Sequence, residues 1–182
     1  VIRQEFMAMG FRWQLGPMAD LATEPRWSRG QNLFGENAHH AAKHVKAEIE
    51  GFQGGRNNGG LKNGIAATMK HFPGAGPASG GQDAHFAWGK NQVYPGRNLE
   101  YHLVPWKAAI EAGTAMIMPY YAVPSGLTQE DVGMAYNKEI VTGLLREELG
   151  FDGVALNDWE LVNDNHVGDQ VLPARAWGVE HL

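Results

Sequence analysis

Apolar positions along the chain alternate between two periods. Residues 13–21 (WQLGPMADL), 64–72 (GIAATMKHF), 114–122 (TAMIMPYYA) and 152–158 (DGVALND) are short apolar runs, the pattern of strands covered on both faces. Between them, residues 36–52 place Ala, Val and Ile at helical spacing with polar residues between. Residues 98–112 and 137–149 do the same, each opening on an Asn and each followed by a glycine, Gly113 and Gly150. Pro105 is expected to start or kink the main segment of its helix. Residues 2–11 read as a helix, and residues 170–182 as the start of another. GGRNNGGLKNG is turn-rich. Residues 73–98 form a long stretch with no period, and loops of that length in a compact domain carry function or are disordered.

Strand–helix alternation predicts the α/β class with a parallel sheet. The polar residues gather where the strands end: Asp20, Lys70 with His71, Tyr120 with Tyr121, and Asp158 with Trp159. In a (β/α)8 TIM-like barrel those ends line one mouth, and in an open doubly wound sheet they face a crevice. Four strands are half a barrel. The expectation is therefore one incomplete barrel domain over residues 1–182, with its opening strands and a following C-terminal domain outside the chain.

Composition narrows the class. Of 182 residues, 43% are hydrophobic and 19% charged, with a net charge of -5, which disfavours a nucleic-acid surface. No apolar run approaches the roughly 18–20 residues of a membrane span. Without cysteine there is neither a disulfide framework nor a thiolate metal site.

Each candidate constellation carries two readings. Asp158, at a strand end beside Trp159, suits a nucleophile on a sugar ring with an indole against the sugar's C–H face; otherwise Asp158 caps the next element and Trp159 is core. Lys70 and His71 are neighbours, so both reach one ligand only where the strand breaks, and Pro73 and Gly74 supply the break. They either grip hydroxyls or form an ion pair and a satisfied core histidine. Arg29 in PRWSR offers planar bidentate bonding or organises its loop. GAGPASGG fits no phosphate-loop pattern and leads into a loop. His40 and His44 share a helix face without the Glu of H-E-x-x-H, and a solvated face explains them better than metal. Asp83 and His85 form a weak acid/base dyad in the long loop.

Taken together, the ordered motifs resemble glycoside hydrolase family three, the β-glucosidase family, through nearly the whole chain. LGPMADLATEPRWSRGQNLFGEN resembles its P-x-x-D, P-R-W-G-R and F-G-E-D series, and MKHFPG its K-H-F motif. YHLVPWKAAIEAGTAMIMPYYA resembles its L-x-P-F-x-A-A-I-x-A-G helix and following M-x-x-Y strand, and LLREELGFDGVALNDWE its nucleophile segment. The resemblance implies a barrel-like catalytic domain and a retaining mechanism without cofactor or metal. It implies Asp158 as nucleophile, and Arg29, Lys70 and His71 as residues that hold hydroxyls of the nonreducing-end sugar. Trp159 matches a sugar-stacking position and Tyr121 a tyrosine near the nucleophile. A β-linked sugar, glucose first and xylose second, is the implied substrate, and an exported protein, periplasmic or secreted, the implied setting. There are departures. Asn157 replaces a Ser before the nucleophile, and Ala75 stands where the N-acetylglucosaminidase branch has His. In that branch the acid/base is a His held by Asp, and Asp83 with His85 lies about two residues later than its spacing. A β-N-acetylhexosaminidase using Asp83 and His85, and a non-catalytic sugar-binding relative, remain as alternatives. Otherwise the proton donor is a Glu of a following domain; Glu160, beside the nucleophile, is poorly placed for it.

Overall fold

The computed structural model describes residues 1–55, 60–159, 161, 165–167 and 170–172. In chain order its elements are α1 (Ile2–Ala8), β1 (Trp13–Gln14), α2 (Ala38–Gln53), β2 (Ala66–Phe72), β3 (Asn91–Gln92), α3 (Leu99–Glu111), β4 (Met116–Pro119), β5 (Val123–Pro124), a π-type helix α4 (Glu139–Glu148), β6 (Val154–Ala155), β7 (Asn165–Val167) and β8 (Gln170–Leu172). Strands β1, β2, β4 and β6 form one parallel sheet in that order. These four strands lie across the sheet in their chain order, and a helix lies in each of the three connections, as in a (β/α) barrel; β3 and β5 pair with each other in a separate small sheet.

The helices end as their residues dictate. The Asn37 side chain accepts from the His40 N–H at 2.9 Å, capping α2, and Gly54 closes it in the left-handed region at φ 87°. Helix α3 begins at Leu99 and continues through Pro105, so Pro105 does not start it. Asn98 is its N-terminal flanking residue, but its side chain makes no capping bond. The core between sheet and helices is built from Val45, Ile49, Met69, Leu103, Trp106 and Ile117, all fully buried. At about 25 cal/mol per Å² of apolar area, that burial is the main term holding the layers together.

Three strands are shorter than their apolar runs. Within 13–21, Pro17 has no N–H and the ladder thins, yet Gly16 and Pro17 carbonyls still accept from Thr68 and Lys70 at 3.0 and 3.1 Å, and Ala19 donates back to Lys70 at 2.8 Å. Residues 114–122 keep β4 to Pro119, after which the chain turns so that Val123–Pro124 pairs with Asn91–Gln92. The 152–158 run keeps only Val154–Ala155 in the ladder. The long loop is more ordered than its lack of period predicts. Gly74 O accepts from the Gln92 side-chain amide and from Tyr94 OH, and Val93 N–H donates to Pro77 O at 3.1 Å. The helix expected from residue 170 is overturned at its start: Gln170–Leu172 pair antiparallel with Asn165–Val167, which satisfies their backbone groups across strands. The rest of that expectation, 173–182, lies outside the described residues.

Candidate active site

Strand β2 delivers Lys70 and His71 to the C-terminal end of the sheet. Its pairing with β4 shifts register between Lys70 and Phe72, so the regular alternation of side chains fails there. His71 is 2% exposed and held from three sides. Its Nδ1 lies 3.0 Å from Asp20 Oδ2, and its backbone N–H donates to Asp20 Oδ1 at 3.2 Å. Its Nε2 lies 3.2 Å from Arg29 Nη1. Arginine can only donate, so Nε2 accepts, and Nδ1–H donates to Asp20: a neutral imidazole in one tautomer.

Asp20 organises this corner. It is fully buried, and its Oδ1 also accepts from the Ala75 N–H at 2.6 Å. Burial pushes its carboxyl up, but the neighbouring His71 and the three N–H bonds outweigh that, and its pKa lies below the ordinary value. The strand-end pattern picked out Asp20 as one of the convergent groups without giving it a role. Its part as the residue that sets the His71 tautomer depends on contacts made across 51 positions of sequence.

Strand β6 and the turn after it bring Asp158 to the same corner. Its Oδ1 accepts from the Trp159 N–H at 2.7 Å. Its Oδ2 lies 3.8 Å from His71 Nε2, is shielded from solvent, and accepts no hydrogen bond among the described residues. Lys70 is half-buried; burial and the nearby Arg29 lower its pKa, while Asp158 and Asp20 act the other way. Arg29 reaches Met18 Sδ at 3.6 Å and lies 6.0 Å over the Trp27 ring, so its guanidinium is held in place. Arg29, Lys70, His71 and Asp158 are thus brought together.

The aromatic candidates take different places. Trp159 is 71% exposed at the site. Tyr121 is buried, and its hydroxyl donates to the Trp159 carbonyl at 2.7 Å. Tyr120 packs its ring 5.1 Å from that of His71. In the loop, Asp83 Oδ1 accepts from the His85 N–H at 2.9 Å and makes a short bond to His85 Nδ1. The His85 ring meets Tyr121 edge-on at 4.7 Å. The two side chains flagged in the loop are thus hydrogen-bonded to each other beside the site, although they lie about two residues later than the N-acetylglucosaminidase spacing. Glu160 lies outside the described residues. His40 and His44 are exposed on α2, with Nε2 atoms 3.1 Å apart. No group of three metal-ligating side chains occurs among the described residues, and no described helix is long and apolar enough to cross a membrane.

Known proteins share this arrangement of chain. β-Glucosidase C of Emericella nidulans is 51% identical over 182 residues, all of this chain and 29% of that protein. A periplasmic β-glucosidase/β-xylosidase of Dickeya chrysanthemi is 38% identical, again over all of this chain and 30% of its own length. The chain thus spans under a third of these relatives. Among solved structures, a family 3 β-N-acetylglucosaminidase from a Paenibacillus species superposes with a TM-score of 0.75 at 29% identity, over 87% of this chain and 28% of that one. A β-glucosidase from Listeria innocua superposes at 0.68 with 31% identity, over 81% of this chain and 19% of that one. Residues 1–175 match the glycosyl hydrolase family 3 N-terminal domain, and the chain belongs to that family.

Proposed function

We propose that this chain supplies the nucleophile half of a retaining β-glucosidase. The observation that carries the reading is the Asp158 carboxylate: one oxygen accepts from the Trp159 N–H, and the other is shielded, unbonded among the described residues and 3.8 Å from His71 Nε2, with Lys70 close enough to feel its charge. A retaining enzyme needs a carboxylate with a free lone pair at the anomeric carbon, facing donors that hold the sugar still. Lys70, His71 and Arg29 hold hydroxyls of the nonreducing-end glucose. Asp20 keeps the His71 Nδ1 protonated, so the single Nε2 lone pair, which accepts from Arg29, can pass to a sugar hydroxyl only when it takes that place. The exposed Trp159 indole stacks on the sugar. The proton donor is a carboxylic acid of the longer polypeptide, consistent with the small share of its relatives' length that the chain spans.

The test uses the whole enzyme. Asp158→Ala should lower turnover of an aryl β-glucoside by several orders of magnitude with the fold intact. A 2-fluoro-glucoside should label Asp158, read by peptide mapping; a label on another carboxylate sinks the assignment. A second reading, β-N-acetylhexosaminidase with Asp83 and His85 as acid/base, is favoured by the hydrogen-bonded dyad at the rim of the site. Turnover of a chromogenic N-acetylglucosaminide well above that of the glucoside would select it.

A further inference from the structure

We propose that His85, held by Asp83, is a positioning residue for the Asp158 carboxylate, acting through Tyr121 and the Trp159 backbone. The inference rests on the reading of Asp158 as nucleophile. The contacts form one chain. Asp83 Oδ1 accepts from both the backbone N–H and the ring Nδ1 of His85, which fixes that ring in one orientation. Burial pushes the Asp83 carboxyl up, the bonds from His85 pull it further down, and it stays an ionised acceptor. The edge of the His85 ring rests against the buried Tyr121 ring at 4.7 Å and 62°. The Tyr121 hydroxyl donates to Trp159 O at 2.7 Å, and Trp159 N–H donates to Asp158 Oδ1 at 2.7 Å.

Two further features make this chain matter. The Trp159 side chain is 71% exposed, so packing of the indole does little to place that residue; the bond from Tyr121 does. The loop that carries the pair closes tightly on itself. A Cβ on Gly89 would fall 2.1 Å from Asp83 O, so the backbone around Asp83 and His85 has no slack. The loop is tied to β5 by Val123 N–H donating to Lys90 O at 2.7 Å, and β5 follows directly on the Tyr120–Tyr121 turn. No hydrogen bond joins His85 to Asp158, Lys70 or His71, so its reach to the reacting carboxylate runs through Tyr121. A shift of about 1 Å in a reacting group can cost about 10²-fold in rate, so a remote support of this kind is visible in kinetics.

The experiment compares Tyr121→Phe, His85→Ala and His85→Phe in the full-length enzyme, with Asp158→Ala as benchmark. Three quantities are read: kcat/KM on dinitrophenyl and phenyl β-glucosides, the rate of inactivation by an activated 2-fluoro-glucoside, and the affinity of a competitive glucose mimic. Positioning predicts that Tyr121→Phe and His85→Ala lower kcat/KM by about tenfold or more on both glucosides, and slow inactivation in parallel. Mimic affinity stays within about twofold, because ground-state binding does not use the carboxylate's exact aim. His85→Phe keeps a ring against Tyr121 and should recover most of the loss. Tyr121→Phe removes a single hydroxyl and keeps the question decidable if His85→Ala does not fold. Loss confined to the phenyl glucoside, with His85→Phe as poor as His85→Ala, would make His85 a proton donor and overturn the proposal. Wild-type kinetics in both His85→Ala and Tyr121→Phe would overturn it as well. Retained turnover in Asp158→Ala is a different failure, that of the nucleophile reading itself.

Discussion

Lys70 and His71 are adjacent, and on a regular strand one of them would face away from any shared ligand. The register shift before Phe72 removes that constraint, and Asp20 with Arg29 then fixes the His71 ring. Both side chains are in place before any ligand arrives, so contacts they make to a sugar can strengthen in the transition state rather than in the ground state. Replacing either by Ala in the whole enzyme should therefore lower kcat/KM by roughly 10²-fold or more, about 2.7 kcal/mol of transition-state stabilisation. Steady-state kinetics on an aryl β-glucoside checks this, and near-normal kcat/KM in both variants would reduce the pair to a structural role.

At the scale of elements, the site depends on how the long loop folds back over the chain leaving β1. Gly76 is the point of closest approach: a Cβ there would lie 1.7 Å from Leu21 O, a backbone atom with no rotamer to yield. Its neighbour Ala75 donates its N–H to Asp20, so any retreat of the loop loosens the acceptor that sets His71. Gly76→Ala should destabilise the fold by about 2 kcal/mol or more and lower activity together with it. Thermal unfolding of the variant tests this, and an unchanged midpoint would show that the loop adjusts freely. Gly30 is a suitable control, because a Cβ there meets nothing within 4 Å.

Over the whole molecule, the described sheet has two outer strands, β1 and β6. Both present apolar side chains to solvent: Trp13 is 47% exposed and Val154 56%. Outer parallel strands with apolar side chains are the arrangement that invites pairing with other chains. Residues 1–182 expressed alone should therefore aggregate or unfold at low denaturant, and lack turnover of aryl β-glucosides, and the proposed function predicts that a polypeptide extended to the length of the relatives folds and turns them over. Sedimentation and assays on both forms decide it. A monomeric, stable 1–182 with Asp158-dependent turnover comparable to the whole enzyme would contradict it.

The alternation of apolar periods determined the α/β class, the parallel strands and the helices with their glycine ends, because burial on two faces and the helical repeat leave their mark on every turn of chain. Polar residues at the ends of apolar runs pointed to Asp20, Lys70, His71, Tyr121 and Asp158 for the same reason. Strand lengths were not legible: the regular ladders of β1, β4 and β6 stop at Gln14, Pro119 and Ala155 while the apolar runs continue. Nor was the order within residues 73–98, which comes from bonds such as Gln92 and Tyr94 to Gly74 that have no period. The tautomer of His71, the unbonded oxygen of Asp158 and the line from Asp83 through His85 and Tyr121 to Trp159 were decided by the tertiary structure alone. Each depends on a distance or ring orientation between residues far apart in the chain, and residue spacing carries no information about either.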